Sequence, residues 1–332
     1  MSGPATASPH RHYGATGFDA PTSLSDSLAT GPPPAAATYR GIYDALGPRK
    51  NCSSADCRVA DELAKHLPGG RAGAKALATI QKAFTYRAGR MMIAAKVEQF
   101  LVCGVDLSLT EPLHGFLRHC TGPSRDTPRV VYLDDNPESV ALARASLGAA
   151  DTFTHVALVD HRDPRAAMMA SVDGDENPAQ RRSTVRAHLD FNRPIGLIHC
   201  GLLPHLADNK DPSATTGLMR SWNAILPEGS FLALTHFCLP EQNRQLATIA
   251  AQAEDIFAAS PLGAGIFLKP TQFTALFCGH ELVQPSPGHA REVVPVEYFW
   301  PDGPTQDGIS KAITPLLWGG IARKGKPFGL IS

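Results

Sequence analysis

Residues 99–116, "QFLVCGVDLSLTEPLHGF", carry the decision about the fold. An apolar run leads straight into Gly104, and helical character resumes near "PLHGF". That is a buried strand, a glycine-bearing loop and a helix, the way nucleotide-binding α/β domains begin. Such loops usually carry two or three glycines, so that the backbone can approach a ligand closely. Here Gly104 is in place and Asp106 stands where the next glycine is expected.

Outward from this stretch, strand-like and helix-like segments alternate. "RVVYLDD" (129–135) precedes "NPESVALARASLG", a helix with Pro near its start and Gly after its end. "FTHVALVD" (153–160), "PIGLIHCG" (194–201) and "SFLALTHF" (230–237) read as further strands, with helices over 213–229 and 241–260. "LLWGGIARK" (316–324) reads as a strand pair closing the sheet, with Gly319 and Gly320 marking a bulge or a close approach. Alternation of this kind predicts a mostly parallel sheet with helices on both faces. Upstream, residues 39–95 are helical in pattern. "SSADCRVADELAKHLPGG" has a Ser/Asp start and a Pro-Gly-Gly stop, and a longer helix follows on which Ile80, Phe84, Arg87 and Met91 share a face. Residues 1–38 are rich in Pro, Gly, Ser, Thr and Ala without a sustained period, and are expected to be disordered. The organisation is therefore a tail (1–38), a helical segment covering the site (39–95) and an α/β domain (96–332).

Composition narrows the partners. The 332 residues carry 31 basic and 31 acidic side chains, a formal charge of zero, so neither nucleic acid nor an anionic membrane surface is expected as a partner. No charged-then-apolar leader opens the sequence, and no apolar run approaches the roughly 18 residues that span a bilayer, so a soluble cytoplasmic protein is expected. The seven cysteines are scattered without framework spacing, which points to reduced thiols. Cys52 and Cys57 lack a second pair, and no metal is expected. Oligomeric state is not legible.

In open parallel sheets ligands bind beyond the carboxyl ends of the strands, so the residues ending each strand are the candidates. Gly104 and Asp106 follow the first. Asp134, Asp135 and Asn136 end the second. Asp160 and His161 end the third, His199, Cys200 and Gly201 the fourth, and His236 the fifth. Asp134 lies about 30 residues beyond the first loop, placed to accept hydrogens from both hydroxyls of an adenosine ribose. The alternative for this acidic cluster is capping of the following helix, a task that Asn136 can perform. His199 and His205 are the candidates for proton transfer, and Arg87 and His236 for contacts to a substrate. Arg87 is either a solvated edge or a basic lid over an anionic group.

In sequence order, "YDALGPRKN…SADCRVADEL", "QKAFTYRAGRMMIAAKVEQFL", "RVVYLDDNPESVALARASL", "DHRDP", "LDFNRPIGLIHCGLLPHLAD", "LPEGSFLALTH", "PTQFTALFCGHELVQP" and "WGGIARK" resemble the actinomycete S-adenosylmethionine-dependent methyltransferase family once known only as a domain of unknown function. The resemblance covers about residues 39–326. It implies a Rossmann-like class I methyltransferase sheet with an N-terminal helical extension, S-adenosyl-L-methionine as cofactor and a small-molecule acceptor. It also implies that Asp134 holds the ribose, that Asp160 and His161 lie beside the adenine, and that Cys200, Gly201 and Leu202 face the methionine portion. Tyr43, Lys50 and Asn51 fall in the family's "YD-L-G-K-N" signature near the mouth, one residue out of register.

The departures sit in the first loop. The family's "FLDIGTGLPT" is "FLVCGVDLSLT" here, so Val102 replaces an acid and Asp106 a glycine, and Pro204-His205 replace a His-Phe pair. A β-carbon where glycine has positive φ costs about 1 kcal/mol. The Asp106 carboxylate either takes over the lost acid's role toward the methionine ammonium or narrows the pocket. Two alternatives accompany the methyltransferase reading. One is a catalytically impaired relative kept for binding or regulation, suggested by the altered loop. The other is a nicotinamide-dependent oxidoreductase, which lacks its G-x-G-x-x-G.

Overall fold

The structure is a computed structural model that describes residues 36–47, 52–105, 112–122, 126–147, 151–172, 183–206, 211–239, 243–260, 262, 265–299 and 312–325. Asp106, Lys50 and Asn51, and the expected tail up to residue 35, lie outside the described residues.

Five parallel strands form the body of the sheet: β1 (Gln99–Cys103), β2 (Arg129–Asp134), β3 (Thr154–Leu158), β4 (Gly196–His199) and β5 (Phe231–Phe237). With β6 (Glu281–Leu282), β7 (Val294–Pro295) and β8 (Leu317–Arg323) the order is β3-β2-β1-β4-β5-β8-β6, and β7 pairs with β8. Order reverses between β1 and β4, the point where such sheets bind ligands. Alternate residues feed two cores. Phe100, Val102, Val130, Tyr132 and Ile198 face one, and Leu101, Cys103, Val131, Leu133 and Leu197 the other. Strands apolar on both sides, as these are, must be covered on both sides.

The expected strand pair at 316–324 is instead one strand, β8, antiparallel to β5 over seven residue pairs. Neither Gly319 nor Gly320 has positive φ, so neither turns the chain. They provide room. A β-carbon on Gly319 would lie 2.7 Å from Phe84 Cε2, and one on Gly320 2.9 Å from Phe277 Cζ.

Among the described residues, three helices precede the sheet: α1 (Tyr39–Leu46), α2 (Ser54–His66) and α3 (Gly70–Ala94). Thr38 caps α1, its hydroxyl accepting the Gly41 N–H at 3.0 Å, and Ala37 is buried, so residues 37 and 38 of the expected tail pack with the helices. A capping box of Ser53 and Asp56 starts α2. The Pro-Gly-Gly that ends α2 also launches α3, because Gly69 at φ +76° and Gly70 at φ +56° reverse the chain between the two helices. Along α3, Leu77, Ile80, Phe84, Ala88 and Met92 are buried at helical spacing.

The remaining α-helices among the described residues are α4 (Leu113–Thr121), α5 (Pro137–Ser146), α6 (Pro164–Met169), α7 (Val185–His188), α8 (Pro212–Ile225), α9 (Arg244–Ala258) and α10 (Pro270–Ala275). Among the described residues no helix is long and apolar enough to cross a membrane.

Candidate functional site

A cavity of about 700 Å³ opens at the carboxyl ends of the strands. Gly104, Asp134, Asp135, His161, Cys200 and His205 line it from the sheet side, and Tyr39, Tyr43, Lys75, Gln81, Lys82 and Thr85 from α1 and α3.

Gly104 closes β1 at φ +86°, its N–H donating to the Leu133 carbonyl at 2.7 Å. A β-carbon there would also meet Leu202 Cδ1 at 2.8 Å, so both conformation and space demand glycine. The next amide, Val105, donates to Asp134 Oδ2 at 2.9 Å, and the Asn136 amide donates to Oδ1 at 2.9 Å. Asp134 is only 8% exposed. Burial raises its pKa, and the two amide hydrogen bonds oppose that rise. It does not cap α5. Asn136 does, accepting the Ser139 N–H at 2.8 Å.

His161, 2% exposed, lies against His199 with ring centroids 5.5 Å apart. Neither nitrogen of either ring has a hydrogen-bond partner among the described residues. Burial pushes both pKa values down, so both rings are neutral. Asp160 turns outward to Arg162, with Oδ1 2.9 Å from the guanidinium Nε. Asp135, Asp160 and His161 nevertheless bring potential metal-ligand atoms within 4.8 Å of one another, though Arg162 already engages Asp160.

Beyond β4, Cys200 lines the cavity with its thiol pushed up to about 12 by burial. Gly201 donates its N–H to Thr235 Oγ1 at 2.7 Å and, at φ +89°, makes room for the roof. That roof is a short hydrogen-bond chain. Tyr43 donates to Gln81 Oε1, and Gln81 Nε2 donates to the Tyr39 hydroxyl, both at 3.3 Å. The Tyr39 ring packs on Tyr43 (4.6 Å) and on His205 (4.9 Å). His205 also rests on Phe257 at 4.7 Å.

Several expected residues are elsewhere. Arg87 donates from Nη2 to the Val296 carbonyl at 2.7 Å and does not line the cavity, and burial lowers its pKa to about 10. His236 is buried within the sheet, Nδ1 2.9 Å from the Phe237 carbonyl, and packs on Phe273. His199 is fully buried beneath the rim rather than on it. A strand-end position does not decide which way a side chain points. Tyr39 and Gln81 are not among the sequence candidates, although each carries a signal. Tyr39 and Tyr43 share a face at i, i+4, and Gln81 is a lone amide on the apolar stripe of α3.

The sequence profile of the S-adenosyl methyltransferase family matches residues 23–325. The chain belongs to that family. Its cofactor is therefore S-adenosylmethionine, and the nicotinamide-dependent alternative falls.

A candidate methyltransferase from Thermobifida fusca YX superposes with a TM-score of 0.69 at 26% identity, covering 88% of this chain and 96% of its own. A DUF574 family protein from Streptomyces avermitilis MA-4680 gives 0.68 at 24% identity, covering 87% and 98%. The fold is that of a Rossmann-like class I methyltransferase. None of the curated proteins matches the chain.

Proposed function

We propose that this chain transfers a methyl group from S-adenosylmethionine to a small molecule held in the same cavity. One observation carries the reading. Four strand ends, marked by Gly104, Asp134, His161 and Cys200, converge on a single space that α1 and α3 roof over.

The residues suit the cofactor. Each Asp134 oxygen already takes one backbone N–H and keeps capacity for another donor, which matches the two hydroxyls of a ribose. Unpartnered His161, with Asp135 at the rim and Asp160 just outside, supports a purine edge in this corner. Gly104 and Cys200 line the cavity where the methionine end would lie, and Gly201 leaves the space that Tyr39 and Gln81 fill. When bound, S-adenosylmethionine supplies a methyl group on an electrophilic sulfonium, so the protein's work is alignment and exclusion of water. Tyr39, Tyr43 and Gln81 do the excluding. Should the acceptor have to lose a proton, His205, which lines the cavity, is the base, and His199 is not.

Calorimetric titration with S-adenosylmethionine and S-adenosylhomocysteine tests the reading, followed by a methyl-release assay over candidate acceptors. Asp134→Ala removes a charged acceptor for two hydroxyls, and affinity should fall by about 10-fold or more. Unchanged affinity in that variant would falsify the ribose assignment. Saturable binding with no turnover on any acceptor class would leave a binding protein instead.

A further inference from the structure

The entrance to α2 is closed twice. Ser53 and Asp56 cap it reciprocally, the Asp56 N–H reaching Ser53 Oγ at 3.1 Å and the Ser53 N–H reaching Asp56 Oδ2 at 2.7 Å. Just outside the box, Cys52 and Cys57 hold the flanking positions where two apolar side chains ordinarily pack across a helix start. Here the pair is two free thiols, with Sγ atoms 3.1 Å apart and both side chains half-buried. The box fixes the backbone between them, and the two sulfurs need to approach by only about 1 Å to reach bonding distance. Small reagents can reach them, whereas Cys103 and Cys238 are buried.

We propose that Cys52 and Cys57 are a redox-modifiable dithiol that closes to an intrachain disulfide across the entrance of α2. The oxidant is a low-molecular-weight disulfide. One cysteine thiolate attacks a sulfur of that disulfide, forming a mixed disulfide and expelling one thiolate. The second cysteine thiolate then attacks the protein-bound sulfur, forming the Cys52–Cys57 bond and expelling the other. Two protein thiols are oxidised, one disulfide is reduced to two thiols, and the protein's two protons pass to the expelled thiolates or to the buffer.

The clip lies on the joint of the cavity roof. Asp56, between the two cysteines, also accepts the Thr38 N–H at 2.7 Å, and Thr38 caps the helix that carries Tyr39 and Tyr43. Burial pushes the Cys52 thiol up to about 11, so thiolate supply limits the reaction and closure should accelerate as pH rises.

Lys50 and Arg58 bracket the pair, so trypsin releases both cysteines in one peptide, residues 51–58. The full chain is equilibrated with oxidised glutathione in excess over reduced, quenched in acid, alkylated and digested. The peptide should have lost two hydrogens and resist alkylation, and dithiothreitol should restore alkylation at both positions. The Cys57→Ser variant should stop at a glutathione adduct on Cys52. A native chain whose peptide stays doubly alkylated, or halts at a glutathione adduct, overturns the proposal. Neither readout involves cofactor or turnover, so the result stands apart from the methyltransferase reading.

Discussion

Gly201 concentrates the site's demands in one residue. It sits at φ +89°, and a β-carbon there would lie 2.0 Å from the Tyr39 hydroxyl and 2.3 Å from Gln81 Nε2. Gly288 has nearly the same conformation, φ +87°, with nothing within 4 Å of its would-be β-carbon. The two glycines therefore separate backbone strain from displaced neighbours. Gly288→Ala should cost about 1 kcal/mol by urea denaturation and leave S-adenosylhomocysteine binding unchanged. Gly201→Ala should cost more and also weaken binding, because Tyr39 or Gln81 must leave the roof. Equal losses in the two variants would show that the roof does not rest on the loop after β4.

Among elements, the roof hangs on Asp56. Its carboxylate takes the N-cap amides of two helices, Thr38 for α1 and Ser53 for α2, and is 3% exposed. Asp56→Ala strands both donors. The expected loss is about 2–3 kcal/mol by urea denaturation, with amide exchange quickening across α1 before the sheet is affected. Loss of stability with α1 as protected as before would move the joint elsewhere. The five parallel strands and the longer helices were legible in the sequence, because parallel strands are apolar on both faces and some helix starts carry their own signal, as Asn136 does for α5, whereas the short helices α6 and α7 were not. The Asp134 position was legible too, since a strand's last residue is fixed by where its apolar run stops. What could not be read is pairing at a distance. Nothing local to Gln81 announces a glycine 120 residues later, and the strand-end histidines 199 and 236 look identical in sequence to rim residues while lying inside the layers.

For the whole molecule, those inward histidines set the response to acid. His161, His199 and His236 are buried and neutral, and burial takes His236 to about 3 and pushes the other two below the ordinary value. In the unfolded chain each titrates near 6.5. Below that pH the unfolded state gains protons that the folded state refuses, so stability falls as pH drops, and for His236 the fall continues toward pH 3. Asp134 acts in the opposite sense, because its raised pKa lets the folded state bind a proton first, but it sets one group against three. A histidine that stays neutral in the folded state, as His236 does, contributes about 1.4 kcal/mol in total between pH 7.5 and 5.5, and the other two add in the same direction. The urea midpoint should therefore drop clearly between pH 7.5 and 5.5. His199→Leu isolates the cause, since neither His199 nitrogen has a partner to lose among the described residues and an apolar side chain of similar size can fill the site. That variant should match or exceed the parent's stability at pH 7.5 and lose less of it at pH 5.5. A midpoint independent of pH in the parent, or an identical slope in the variant, would mean that these rings gain protons in the folded state and that the floor of the cavity is wetter than its packing implies.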